Sequence, residues 1–345
     1  MIREALLYEK LDSKRVHCNL CAHGCTIKPD RRGICGVREN KEGVLYTLVY
    51  GTLIAENIDP IEKKPFFHVY PGSLSYSIAT VGCNFSCEFC QNHEISQMPR
   101  STLTVAGKDI LPVEIVAQAK KSRSKTIAYT YTEPTIYFEL AYDTAKIAHG
   151  NGLTNVFVTN GFMTPEAIDT IAPYLAAANV DLKSFRDDFY KKQCGAKLKP
   201  VLESLKKMKE LGIWVEITTL LIPSLNDSNE ELKNIAQFIA GLGKETPWHI
   251  SRFHPQFKMN SLQVTPVASL HRAVEIGKQS GLKYVYSGNV PGDEGESTYC
   301  FNCQKLLIER YGFKIISVNL TGNKCSNCGT ILEGIFSATQ VAGTK

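Results

Sequence analysis

Twelve cysteines, grouped as four, three, one and four, constrain this chain more than any other feature. They fall at Cys18, Cys21, Cys25 and Cys35, at Cys83, Cys87 and Cys90, at Cys194, and at Cys300, Cys303, Cys325 and Cys328. An even count in a small secreted chain points to disulfides. With 345 residues this chain is not small. Its first residues, MIREALLYEK, carry charges of both signs and lack the apolar segment of a secretory signal. No apolar run approaches the ~18–20 residues of a membrane helix. The expectation is a cytoplasmic protein with reduced thiols, and gaps of two and three residues direct those thiols to metal.

The intervals between the clusters differ in texture. Residues 1–60 hold few periodic segments and read as a loop-rich module stapled by the first four cysteines. Residues 60–75, with Pro60, Pro65, Pro71 and Gly72, read as a linker or entry segment. From about 76 to 290 strand-like and helix-like patterns alternate. SYSIATV (75–81), TIAYTYT (126–132), NVFVTN (155–160), NVDLKSF (179–185), IWVEITTLLI (213–222) and WHISRF (248–253) read as strands, and KYVYSG (283–288) as a seventh candidate. Thr164-Pro165 opens one intervening helix as N-cap and N1. Ser228 with Glu231 forms a capping-box pattern before another, which stops at Gly243. A third carries the stripe Val201, Leu202, Leu205 and Met208 and ends at Gly212. Such alternation argues for a parallel β/α sheet or an incomplete barrel. Residues 291–345 return to short elements around the last four cysteines, with the terminal SATQVAGTK expected to be loose. The domains read as 1–60, 61–290 and 291–345.

Cys83, Cys87 and Cys90 stand in GCNFSCEFCQN, a C-x3-C-x2-C loop directly after the first strand of this series. Three thiolates so close can wrap one cubane iron–sulfur cluster. The loop offers no fourth ligand, which leaves one iron open to an amine and carboxylate. The alternatives are a structural zinc site, which requires four ligands, or coincidence. In this spacing, the sequence resembles the radical S-adenosylmethionine (SAM) superfamily over roughly residues 75–255. Phe89 occupies the aromatic position before the last cysteine. The phrases DPIEKKP, GCNFSCEFCQN, YTEPTIYFE, VTNGF, VDLKSF and EITTLLIPSLND resemble the pyruvate formate-lyase activating enzymes, and most closely the AmmeMemoRadiSam system members.

The resemblance implies a partial parallel (β/α)6-type barrel, with small metal-stapled modules at either end. It implies a [4Fe–4S] cluster and S-adenosylmethionine, reductive cleavage of the sulfonium, and a 5′-deoxyadenosyl radical that abstracts hydrogen. An electron donor such as ferredoxin or flavodoxin follows. No general acid–base pair is expected for the first step.

In parallel β/α barrels, chemistry sits at the C-terminal strand ends. Glu133 ends the second strand where the family has a GGEP-like motif for the methionyl amine, and a carboxylate facing an ammonium is sound chemistry. Tyr131 and Thr132 replace the two glycines. Thr159, Asn160 and Gly161 end the third strand, near the cofactor's ribose by the resemblance, or as a simple turn. Asp181 and Lys183 share one face of the fourth strand, and Glu216 and Thr218 one face of the fifth. Charged groups on apolar strands must be paired or wet. They surround the cofactor, or Lys183 and Glu216 pair structurally across the barrel. His254, in RFHP after the sixth strand, matches a histidine that the related enzymes carry near the adenosyl group.

The outer cysteines read differently. Cys18, Cys21, Cys25 and Cys35 form C-x2-C-x3-C-x9-C, which fits structural zinc or a second iron–sulfur cluster. Cys300, Cys303, Cys325 and Cys328 form C-x2-C-x21-C-x2-C, a zinc-ribbon pattern, with rubredoxin-like iron as the alternative. Cys194 stands alone and reads as packing.

The formal net charge of +5 falls to zero once metal-bound thiolates are counted, and charges balance within 291–345. A nucleic-acid clamp is therefore disfavoured. The leading reading is a radical enzyme acting on a protein. Radical modification of a small molecule or RNA is the runner-up, and a non-catalytic metal-cluster sensor or binding protein a different class.

Overall fold

The computed structural model describes residues 1–336; the terminal SATQVAGTK lies outside the described residues. Seven parallel strands form the centre: β1 (Leu74–Ala79), β2 (Thr126–Tyr129), β3 (Thr154–Thr159), β4 (Ala177–Asp181), β5 (Trp214–Leu221), β6 (Trp248–Arg252) and β7 (Val285–Gly288). They lie side by side in chain order, as right-handed β/α crossovers produce. KYVYSG thus supplies the seventh strand. An eighth, Ala55–Pro60, adds to β1 antiparallel. It and β7 are the two unpaired ends of the sheet, so the barrel is open. Among the described residues, no helix is long and apolar enough to cross a membrane.

Period-two alternation sorts each strand between two environments. Ile127, Tyr129, Phe157, Val180 and Ile217 belong to the large core shared with the covering helices. Those helices begin and end where local chemistry directs. Thr164 caps Pro165–Ile171, accepting from Ala167 N at 3.2 Å. Ser228 caps Asn229–Leu242, accepting from Glu231 N at 3.2 Å. The reciprocal half of the expected capping box is absent, because the Glu231 carboxylate accepts instead from Ser184 Oγ and from Phe185 N at 2.7 Å. A buried carboxylate there pins the turn after β4.

The inward-facing residues Ala128, Val156 and Ala177 pack against Ile61, Phe66, Val69 and Tyr70. The segment expected to be a linker is therefore a plug. Phe66 and Val69 are fully buried. Phe67 N and His68 N donate to the Glu216 carboxylate of β5 at 3.0 and 2.9 Å, and Asn179 Nδ2 of β4 donates to Pro65 O at 2.6 Å. An open barrel has an apolar interior that must be filled and a plug backbone that must be hydrogen-bonded. The inward polar residues of β4 and β5 do the second task.

Two small three-stranded sheets make up the N-terminal region, and a three-stranded sheet with a short hairpin makes up the C-terminal one. The C-terminal sheet packs Leu307, Ile308 and Leu332 against Phe67, Tyr284 and Tyr286. Arg310 is buried in that contact, donating to Phe67 O at 3.0 Å and lying 4.1 Å over the Phe67 ring.

Candidate active site

The loop after β1 is held by contacts from distant parts of the chain. Arg100 donates to Cys83 O at 2.5 Å and to Phe85 O at 2.9 Å. Ser86 N and Glu88 N donate to Cys194 O and Gln193 O, each at 2.9 Å. The thiols themselves receive directed donors: Phe85 N reaches Cys83 Sγ at 3.3 Å, and Ser96 Oγ lies 3.3 Å from Cys90 Sγ. Burial pushes the Cys83 and Cys90 thiols up, while contact with Cys194 and then burial push Cys87 up. Three thiols in such a place lose their protons only to a positive centre, which a metal cluster provides.

Cys83, Cys87 and Cys90 open together onto a cavity of about 530 Å³ at the C-terminal ends of the strands. That size lies within the ~300–1,000 Å³ typical of ligand sites. Cys194 touches Cys87 but does not line the cavity. Three sulfur donors with open space beyond them fit a cubane that keeps one iron free.

Five of the six cofactor candidates, Phe89, Glu133, Asn160, Asp181 and Lys183, line this cavity. Glu133 is buried at its wall. Its Oε1 accepts from Thr135 N at 3.0 Å, Thr135 Oγ1 at 2.6 Å and Thr159 Oγ1 at 2.7 Å. Its Oε2 accepts from Asn160 N at 2.7 Å and keeps capacity for a further donor. Burial raises its carboxyl group above the ordinary range. Asn160 Nδ2 donates to Asn84 Oδ1 at 2.7 Å and stands 3.9 Å from Cys83 Sγ. Lys183 Nζ pairs with Asp181 Oδ2 at 2.9 Å and lies 5.7 Å over the Phe89 ring. Burial works against its charge, but Asp181 and the neighbouring thiols hold the ammonium well above its ordinary pKa.

Lys183 and Glu216 do not pair. Glu216 is below the cavity and takes His249 Nε2 at 2.6 Å, besides Trp214 Nε1 and the plug amides. Despite burial, these donors hold its carboxylate below the ordinary range. Thr218 lines the cavity and donates to Asn179 Oδ1 at 2.8 Å. His254 is exposed and lies off the cavity, beyond the end of β6 at Arg252 and next to Phe253, which is buried in the large core.

His249 and Ser251, on the inward face of β6, are cavity residues that sequence reasoning missed. The alternation of WHISRF carried the signal. Lys64 and Tyr131 are two more. Lys64 Nζ pairs with Asp59 at 2.5 Å and lies 4.7 Å over the Tyr131 ring, while the Tyr131 hydroxyl donates to Asp59. Burial lowers Lys64 to about 8. Tyr131 itself takes φ +63°, a left-handed conformation that favours glycine. Asp59 and Lys64 from the DPIEKKP segment hold its side chain in place.

An open parallel β/α barrel with three convergent thiols and a polar cavity at its strand ends defines a class: enzymes that position a cubane cluster beside a small-molecule cofactor. Residues 77–239 match the Radical SAM superfamily model. The uncharacterized protein MJ0808 of Methanocaldococcus jannaschii is 48% identical over 96% of this chain and 99% of its own. The pyruvate formate-lyase-activating enzyme of Clostridium pasteurianum is 22% identical over 47% of this chain and 67% of its own. A radical SAM methyltransferase from Sphaerobacter thermophilus shares the fold, with a TM-score of 0.51 at 20% identity over 66% of this chain and 71% of that one. The chain belongs to the radical SAM superfamily and is a radical SAM enzyme. Membership implies a [4Fe–4S] cluster and S-adenosylmethionine.

Proposed function

We propose that Cys83, Cys87 and Cys90 hold the catalytic cluster and that the adjoining cavity receives S-adenosylmethionine for hydrogen abstraction from a protein. The observation that carries this reading is the shared cavity, onto which all three thiols and the strand-end polar groups open. When bound, the reduced cluster and the cofactor together supply a 5′-deoxyadenosyl radical that removes a hydrogen atom from the substrate. The chain's own part is binding and exclusion of water. Glu133 Oε2 has a lone pair free for the methionyl ammonium. Lys183, fixed by Asp181 beside Phe89, is a cation available to its carboxylate. Phe89 and Asn160 flank the thiols, and Thr218, Ser251 and His249 offer polar contacts further in.

A protein substrate is supported by the activating-enzyme names of relatives. It is also supported by Gly312 and Phe313, which bring the C-terminal sheet to the cavity wall, with Tyr311 exposed beside them. The electron donor is of the ferredoxin or flavodoxin kind. The test is anaerobic reconstitution with dithionite and S-adenosylmethionine. 5′-Deoxyadenosine should form with the natural chain and fall to background in Cys83→Ser; an unaltered rate in that variant rejects the assignment. With deuterated cell extract as hydrogen source, protease treatment should abolish deuterium transfer into 5′-deoxyadenosine. Transfer that survives protease rejects the protein substrate, and its loss to ribonuclease would identify RNA.

A further inference from the structure

The two outer cysteine groups hold their sulfurs in different ways. In the C-terminal group, Cys300 Sγ and Cys328 Sγ stand 3.6 Å apart and Cys303 Sγ and Cys325 Sγ 3.7 Å apart, all four lying within 4.8 Å of one another. Tetrahedral zinc with ~2.3 Å bonds sets its sulfurs about 3.8 Å apart, so this group has the dimensions of one zinc ion. Among the described residues, no other group of three or more ligating side chains is so compact. Cys18, Cys21, Cys25 and Cys35 instead surround a cavity of about 20 Å³. Like the central triplet, and unlike the ribbon, they are not drawn into so compact a set. A cubane interposes four irons and four sulfides between its thiolates and so demands the wider set.

A second observation points to an anionic metal–sulfur centre in this cavity. Arg38 lines this cavity and is 2% exposed. Its terminal nitrogens bond Leu6 O at 2.7 Å and Glu139 at 2.9 and 3.2 Å, but its Nε has no partner within the protein. A buried unpaired N–H is costly, and a thiolate or sulfide of a cluster would accept from it.

The N-terminal group also abuts the triplet. His23, between Cys21 and Cys25, lies 2.8 Å from Asn84 O. Gly82 borders Cys83, and a Cβ there would stand 3.2 Å from Cys35 O. Arg100 bonds both loops, reaching Ile34 O at 2.6 Å as well as Cys83 O.

We propose that Cys18, Cys21, Cys25 and Cys35 hold a second cubane iron–sulfur cluster in electron-transfer contact with the cluster at Cys83, Cys87 and Cys90. The contact rests on the reading of the triplet given above; the second cluster does not. In the electron transfer, the N-terminal cluster is oxidised by one electron and the triplet cluster reduced by one. A low-potential iron–sulfur or flavin protein then re-reduces the first.

The experiment uses the full chain reconstituted anaerobically with ferrous iron and sulfide, with iron, sulfide and zinc counted and Mössbauer and EPR spectra recorded. The triple variant Cys83→Ala, Cys87→Ala, Cys90→Ala should keep about four irons and four sulfides and a reducible cluster signal. That remaining signal should vanish when Cys18→Ala and Cys35→Ala are added. If the triple variant holds extra zinc and no iron, the second cluster is refuted. Should it keep all the iron of the natural chain, the triplet reading fails and the N-terminal cluster stands. In the dithionite-reduced natural chain, the two signals should broaden each other. A spectrum equal to the sum of the single-site spectra would refute the contact.

Discussion

Single side chains divide this site into ligands, positioning groups and bystanders, and substitution separates them. Cys194 lies against Cys87 but outside the cavity, so we predict that Cys194→Ser keeps the iron content of the natural chain. Loss of the cluster in that variant would make Cys194 a fourth ligand and remove the open iron. Asn160 stands beside Cys83 at the cavity wall, its amide 3.9 Å from the sulfur and bonded to Asn84 Oδ1. Outer-shell partners of metal ligands typically matter roughly 10–100-fold, and we expect that loss of 5′-deoxyadenosine formation in Asn160→Ala. The same variant should shift the cluster's EPR signal, a change that simple loss of stability would not produce. Glu133 is more deeply committed. Its carboxylate takes four hydrogen bonds, two from Thr135 in the turn after β2 and two from Thr159 and Asn160 at the end of β3, so substitution there breaks the wall as well as any cofactor contact.

At the scale of elements, the plug of residues 61–70 decides how the barrel works. Phe66 is fully buried against Ala128, Val156 and Ala177. Truncating a buried aromatic costs roughly 3–5 kcal/mol, and we predict that penalty for Phe66→Ala in urea unfolding. A true linker would show almost none. The plug also carries a pH dependence. His68 is held neutral: its Nδ1 donates to Glu333 O at 2.6 Å and its Nε2 accepts from Tyr286 Oη at 2.7 Å. Burial lowers it from 6.5 to about 4. Below pH 6.5 the unfolded chain takes up this proton while the folded chain does not, so stability falls as pH falls from 6.5 to about 4. The full loss is about 3 kcal/mol. Unfolding free energies measured across this interval should show that slope, and His68→Gln should flatten it.

Over the whole molecule, the end regions are parts of the barrel's enclosure. The C-terminal sheet places Arg310, Leu307 and Ile308 against the plug and β7, and Gly312 and Phe313 at the cavity. A metal held by its four cysteines would therefore support the core. We predict one zinc per chain at Cys300, Cys303, Cys325 and Cys328. The pair of substitutions Cys300→Ser and Cys325→Ser should remove it and lower the melting temperature of the entire protein. Metal analysis showing no change in zinc would overturn this.

Most of the architecture was legible because its signals are short-range. Strand alternation, the Thr164 and Ser228 caps and the C-x3-C-x2-C loop each involve residues a few positions apart, and backbone geometry fixes what such neighbours can do. The sequence by itself determined six of the parallel strands with the seventh as a candidate, the thiol loop after the first of them, and the shared faces of Asp181 with Lys183 and Glu216 with Thr218. Only the tertiary structure decided how the buried polar groups pair: Glu216 with His249 and the plug rather than with Lys183, Cys194 beside Cys87, His249 inside and His254 outside. The Phe67–Glu216 bond spans 149 residues. Such partners are chosen by burial and the need to satisfy every enclosed charge once the chain has closed, and no local pattern encodes that choice.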